Sequence, residues 1–397
     1  MLLKNGMFIV LVVSFLLLPA LFAANILIPG KKEQLKKNLE TGSAFSISQK
    51  DYDTIKLNES QTCIVNAYST DLGTPSDLIG YQNNKFGIYI YAEEDYVELA
   101  GDLVNSNGGD WGYVLIPINV KDYDGTKWKR IFALLNKKHL IPILQLWDLS
   151  KEDEDGQIKE SARFLNSLDW PIEKRYISVF NEPNDSKFWR GKADPADYAK
   201  VLDETISIFK KENPNFFMLN GAFNASANTG EGYIDEAAFL LQMDKAVPGI
   251  FTKLDGWASH PYPQPNFSGS VYDAGRNSIR AYEWELNLLN LYFGVRDRPV
   301  FITETGWAHS EGGTTDPTYL DKFKTAQNYA SAFTKVWLKD PKVVAVTPFT
   351  IRYSPPYDHF SWVDKGEKFY PQYKAVQNLN KVTGKPPYLY KKEVVCN

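Results

Sequence analysis

Residues 176–184 read YISVFNEPN. Tyr176-Ile177-Ser178-Val179-Phe180 is a β-branched and aromatic run with the length and composition of a buried strand. It stops abruptly in Asn181-Glu182-Pro183-Asn184, three polar residues around a proline. Asn and Pro favour turns and a Glu beside them can face water, so a plain turn accounts for the stretch. A strand that delivers a carboxylate to a functional mouth also accounts for it. The rest of the chain must decide.

Working outward, seven further short apolar runs share the rhythm of this one: Phe86–Tyr91, Tyr113–Val120, Ile141–Trp147, Phe216–Ala222, Gly256–Tyr262, Val300–Thr303 and Val343–Phe349. In chain order YISVF is the fourth of eight. Longer amphipathic stretches separate them, among them Trp128–Lys138, Asp197–Glu212, Tyr233–Ala246, Ile279–Phe293 and Asp321–Lys339, with a last helix over Tyr373–Val382. Asp194-Pro195 and Asp316-Pro317 read as helix starts. Strands alternating with helices predict a parallel α/β sheet, and eight such units in about 300 residues match a (β/α)₈ TIM barrel. A doubly wound open sheet is the alternative. No G-x-G-x-x-G or P-loop follows any strand, which removes support from its nucleotide-binding versions.

Bulk properties bound the rest. The chain has 397 residues, 44% hydrophobic and 14% aromatic, enough for a substantial core. With a net charge of −4 it carries no basic stripe of the kind nucleic-acid binders show. Lys4 precedes an apolar run from Met7 to Phe22 and then Ala23-Ala24, the layout of a secretory signal. Extended through Ile28, the run reaches the length of a membrane-spanning helix, so a tether through residues 7–28 is the second fate. Lys31, Lys32, Lys36 and Lys37 beyond it run against simple export of an anchor. The expected division is residues 1–24 as signal or anchor, 25–83 as linker and small cap, and 84–397 as barrel, with the body extracytoplasmic. The two cysteines, Cys63 and Cys396, are too few for a metal site and form either one bridge or two separate thiols. No cluster has metal-ligand spacing and no G-x-S-x-G occurs, so neither cofactor nor metal is expected. The acidic run Glu152–Asp155 reads as a charged, solvated loop.

In a barrel the reactive groups sit at the C-terminal ends of strands. The seventh run, VFIT, ends in Glu304-Thr305-Gly306-Trp307, so a second carboxylate stands where Glu182 stands on the fourth. Two carboxylates across one mouth are what glycoside hydrolysis uses, one as proton donor and the other as nucleophile or base.

Asn181-Glu182-Pro183 on the fourth strand and Thr303-Glu304 on the seventh resemble the signatures of glycoside hydrolase clan A. The stretch NEPNDSKFW with Asp197-Tyr198 is most similar to family 39 and its relatives, and His260-Pro261-Tyr262 falls where clan members carry a His or Tyr near the nucleophile. The resemblance covers residues 84–382. Departures are ETGW at strand seven and TPFTIRY at strand eight, the latter lacking a tryptophan many members place there. The resemblance implies retaining cleavage of β-linked glycosidic bonds in a carbohydrate substrate. Glu182 would be the acid/base, Glu304 the nucleophile and Asn181 the partner of the sugar 2-hydroxyl. His260 or Tyr262 would hydrogen-bond Glu304. His260 also reads as a core histidine, and Trp147, Trp307 and Trp362 either stack on sugar faces or pack loops. The same residues would serve a transglycosylase, and a non-catalytic glycan-binding barrel is the alternative outside enzymes.

Overall fold

The computed structural model of the chain describes residues 82–313 and 316–386, together with Ile79. The expected signal or anchor, most of the linker and cap, and both cysteines lie outside the described residues. Among these residues no helix is long and apolar enough to cross a membrane.

Among the described residues eight strands alternate with eight α-helices: β1 (Gly87–Tyr89), α1 (Glu94–Val104), β2 (Gly112–Asn119), α2 (Gly125–Lys137), β3 (Leu140–Trp147), α3 (Glu154–Asn166), β4 (Arg175–Val179), α4 (Pro195–Glu212), β5 (Phe216–Asn220), α5 (Glu236–Ala246), β6 (Trp257–Ser259), α6 (Ala281–Phe293), β7 (Val300–Ile302), α7 (Lys322–Ala332), β8 (Val343–Val346) and α8 (Pro371–Gln377). All pairings are parallel, in two arcs, β1-β2-β3-β4-β5 and β6-β7-β8. This is the TIM-barrel arrangement the eight runs predict.

Hydrogen bonds span both seams between the arcs. At β8–β1, Val346 N–H donates to the Lys85 carbonyl (2.9 Å) and Tyr89 N–H to that of Pro348 (3.0 Å). At β5–β6, Asp255 N–H donates to the Met218 carbonyl. One turn on, the Asn220 side chain pairs with the Ala258 backbone, accepting from its N–H at 2.9 Å and donating to its carbonyl at 3.0 Å.

The strands are mostly apolar because both faces are covered, and their side chains sort by twos. Val114 and Ile116 face the helices in the larger core, whereas Tyr113 and Leu115 point into the barrel. The barrel interior is filled by Tyr89, Tyr113, Ile143, Tyr176, Phe217, Phe301 and their neighbours. Tyr176 sits among three aromatic rings, with centroids 5.0 Å from Phe301, 5.2 Å from Phe217 and 6.4 Å from Tyr113.

Four sequence expectations need correction. Asp194 does cap α4, accepting from Asp197 N–H ahead of Pro195. Asp316, however, folds back on Thr318 in a local turn, and α7 starts later with Asp321 as its cap. Glu154 and Asp155 belong to the first turn of α3, where acids meet the positive end of the helix dipole, rather than to a loop. The strand ladders of β6 and β8 end at Ser259 and Val346, short of Tyr262 and Phe349. The residues after them form the mouth. The last helix begins at Pro371 and ends at Gln377.

Candidate active site

The ladder of β4 ends at Val179, and the chain turns sharply through two residues with left-handed backbone, Phe180 (φ 72°) and Glu182 (φ 35°). For a bulky residue such as Phe180 this conformation is costly and persists only when the surroundings enforce it. The enforcing contacts are visible. Glu182 N–H donates to the Ala222 carbonyl (2.9 Å), and Asp185 N–H donates to the Glu182 carbonyl (2.9 Å). The Phe180 ring packs against Trp189 at 5.5 Å. Asn184 is an anchor: fully buried, its amide donates to the carbonyls of Asn224 and Ile234 and accepts from Asn224 N–H. Within NEPN, then, Asn181 and Glu182 face the cleft and Asn184 ties the turn to the next loop.

Glu304 leaves β7 by a different construction. Thr305 Oγ1 donates to the Pro261 carbonyl at 2.8 Å. Gly306 passes so close to Tyr329 that a Cβ there would lie 2.4 Å from its hydroxyl. Trp307 is fully buried, donates to the Gly269 carbonyl and packs on Tyr329. Trp307 therefore braces Glu304 from behind and does not line the cleft. Trp362 is likewise fully buried, with its ring 4.7 Å from Tyr329. Neither can stack on a sugar. Trp147 does line the cleft, edge-on to Phe188.

The two carboxyl groups converge on one imidazole. His260 Nδ1 lies 3.0 Å from Glu182 Oε1 and 3.9 Å from Glu304 Oε2. The two oxygens are therefore no farther apart than those distances laid end to end, a limit that admits the whole ~5–5.5 Å range of retaining glycosidases and little of the ~6.5–9.5 Å inverting range. Tyr262 donates its hydroxyl to Glu304 Oε2 at 2.9 Å. Of the two expected partners of Glu304, Tyr262 makes the hydrogen bond and His260 bonds Glu182 instead. Burial pushes the Glu304 carboxyl up to about 7, with Glu182 adding to the effect, while His260 and the Tyr262 hydroxyl oppose it. Burial works against a charged His260, yet the adjoining Glu304 and Glu182 carboxyls carry its affinity for a proton above the usual value.

Asn181 is oriented by a chain of side chains. The indole N–H of Trp147 can only donate, and it donates to Gln145 Oε1 at 2.8 Å. Gln145 must then present its amide nitrogen, which donates to Asn181 Oδ1 at 2.9 Å. The Asn181 amide nitrogen is thereby left to face the cleft as a donor. Gln145 is absent from the sequence-derived candidates, although a lone polar residue inside the apolar run IPILQLW was the available signal. Phe349, Tyr89, Tyr91 and Tyr353 also surround the cleft without having been singled out. Phe349 stands past the end of β8, where the tryptophan of the resemblance is lacking.

These residues line a cavity of about 580 Å³ at the C-terminal ends of the strands. Opposite loops meet over it, the Lys187 ammonium donating to the Tyr357 hydroxyl at 2.6 Å. Among the described residues no His, Cys, Asp or Glu group is arranged to hold a metal ion.

No known family model matches the chain, and none of the curated proteins does. Solved structures share its fold. A GH128 (subgroup II) endo-β-1,3-glucanase from Pseudomonas viridiflava is 19% identical with a TM-score of 0.50, over 77% of this chain and 99% of that one. An endo-laminarinase from Formosa Hel1_33_131 is 14% identical with a TM-score of 0.51, over 75% of this chain and 85% of that one. Both are glycoside hydrolases by description, and at these identities what they share with this chain is the barrel.

Proposed function

We propose that this protein is a retaining β-glycoside hydrolase of the clan A type. The observation that carries the reading is the meeting of Glu182 and Glu304 at His260 in a closely lined cavity. In the first step a Glu304 oxygen attacks the anomeric carbon while Glu182 gives its proton to the departing glycosidic oxygen, leaving a glycosyl ester on Glu304. In the second, Glu182, now a carboxylate, takes a proton from water. The water oxygen displaces Glu304 and the anomeric configuration is retained.

The surroundings fit these roles. Tyr262, held protonated by burial and by the Glu304 charge, keeps a donor on the nucleophile and favours its ionised form. The outward amide of Asn181 is placed to hold a sugar hydroxyl beside the reacting carbon. Trp147 offers an apolar face, and the aromatic share of the wall suits the hydrophobic faces of sugars. Resemblance to family 39 rests on the NEPNDSKFW stretch with Asp197-Tyr198. The activities named for the two structural neighbours make β-1,3-glucans the first substrates to try. The Lys4-led apolar segment places the body outside the cytoplasm in this reading, which fractionation of the full chain tests.

The deciding experiment is Glu182→Ala assayed on aryl β-glycosides with and without azide. The proposal predicts restored turnover and a β-glycosyl azide product. An α-azide, or no rescue on any activated glycoside that the wild type cleaves, would overturn it.

A further inference from the structure

A second cavity, of about 290 Å³, opens beside the first and shares two of its walls, Tyr91 and Tyr353. Its remaining lining is Tyr96, Arg352, Ser354 and Lys365. The rings of Tyr91 and Tyr353 lie 5.8 Å apart and form the partition. The loops that build it follow β1 and β8, across the barrel from β4 and its proton donor.

Arg352 is the unusual member. Its side chain is only 18% exposed, and its nearest carboxylate, Asp95, is 3.9 Å away and itself 58% exposed. Its Nε is buried with no hydrogen-bond partner among the described residues. The guanidinium rests over the Tyr96 ring at 5.4 Å. Lys365, exposed at the rim, has no ion pair or hydrogen bond among the described residues. A mostly buried cation is costly unless an anion and hydrogen bonds meet it, and the loose contact with Asp95 and a side-chain hydrogen bond with Tyr96 do that only in part. A planar fork with donors to spare, next to a second free cation, is the arrangement that receives a carboxylate or a sulfate.

We propose that this side cavity is a subsite for an anionic sugar, its acid group a carboxylate or a sulfate ester held by Arg352 and Lys365. This rests on the glycosidase reading. Glu182 protonates the leaving group, so the leaving side of the substrate lies toward β4. The cavity between the β1 and β8 loops then receives the glycone side, one residue beyond the sugar that is attacked. The enzyme would thus prefer acidic β-glycans over their neutral counterparts.

The test uses the full chain and three aryl β-disaccharides that differ only in the terminal non-reducing sugar: glucosyl, glucuronosyl and 6-sulfoglucosyl. At low salt at least one acidic substrate should exceed the neutral one in kcat/KM by about tenfold, chiefly through KM. The preference should shrink at about 0.5 M salt, where exposed charges are screened. Arg352→Gln should bring the ratio of acidic to neutral kcat/KM near one, Arg352→Lys should keep part of it, and Lys365→Gln should lower it less. Because Lys365 is exposed and unpartnered, its variant reports even where an Arg352 variant fails to fold. Equal or lower kcat/KM for both acidic substrates, or a ratio unmoved by the Arg352 and Lys365 variants, overturns the subsite. If wild type turns over none of the three, calorimetry of the same sugars on the Glu304→Ala protein separates the claims. An acid preference lost with Arg352→Gln keeps the subsite and ends the glycosidase reading, and its absence ends the subsite as well.

Discussion

At the end of β4 the backbone does the turning, with Phe180 and Glu182 both at positive φ and the Glu182 peptide groups tied to Ala222 and Asp185. At the end of β7 no non-glycine residue is left-handed, and Glu304 is steadied from behind by Thr305, Gly306 and the buried Trp307. The two carboxyl side chains are equally exposed, 12% each. What differs is the support: a strained, hydrogen-bonded loop under Glu182 and a packed aromatic wedge under Glu304. In the proposed mechanism the carboxyl on the turn would pass a proton between successive partners, and the carboxyl on the wedge would form and break one covalent bond at a fixed point.

The sharpest way to break this comparison is to remove each carboxyl. Glu304→Ala should abolish turnover on every leaving group, by roughly 10⁴-fold or more, because no glycosyl ester can form. A variant retaining a tenth of wild-type kcat on any glycoside would end the assignment. Glu182→Ala should lose ~10²–10⁴ on poor leaving groups. With dinitrophenolate, which departs without a proton, a burst should appear followed by slow deglycosylation. Burst kinetics with nitrophenyl and dinitrophenyl substrates check this, and equal losses on both would place the proton donor elsewhere.

A smaller effect is expected one step back. Gln145→Leu leaves Trp147 and Asn181 without their common partner and frees the Asn181 amide to flip. kcat/KM should fall about tenfold on sugars bearing a 2-hydroxyl and much less on 2-deoxy analogues. Equal losses on both would mean that Gln145 is a packing residue only.

The smallest effect is on stability. Folded Glu304 holds its proton up to about 7, whereas an unfolded chain releases it near the ordinary 4.5. The folded state binds more protons between those values, so this group subtracts stability as pH rises from about 4.5 to about 7 and leaves the protein weaker above. Glu304→Gln should therefore be more stable than wild type at pH 8, by ~1–3 kcal/mol, and nearly equal to it at pH 4. Chemical denaturation at the two pH values measures this, and a variant no more stable at pH 8 would show that Glu304 is not strained by burial. The same titration sets the acid limb of kcat/KM near pH 7. Tyr262→Phe, which removes a donor from the ionised form, should move that limb to higher pH.

Strand order, helix alternation and both carboxylates were legible because a buried parallel strand must be apolar on both faces, and a polar break at its end is conspicuous. Asn184 and Trp307 show the limit of such reading. Each adjoins a motif glutamate, yet one is a clamp and the other a wedge, since the facing loop decides where a side chain lands. Arg352 was invisible for the same reason: its ring partner Tyr96 comes from the far end of the chain. Glu154 and Asp155 read as a loop from sequence because acids crowd both solvated loops and helix starts.

Asn220 at the β5–β6 seam carries one more implication. Around most of the ring neighbouring strands recognise each other through peptide groups, which every residue type possesses. At this seam a side-chain amide impersonates a peptide group, offering one acceptor and one donor to Ala258. Beside the single Asp255–Met218 peptide hydrogen bond, strand pairing there is spelled partly by residue identity, so tolerance to substitution around the ring is uneven. Aspartate keeps the acceptor but sets an anion against a carbonyl, and leucine keeps neither bond. Either change should unlock the Ala258 amide to exchange with solvent ahead of the amides of β7. Protection at Ala258 that outlasts β7 in Asn220→Leu would show the seam to be held by something else.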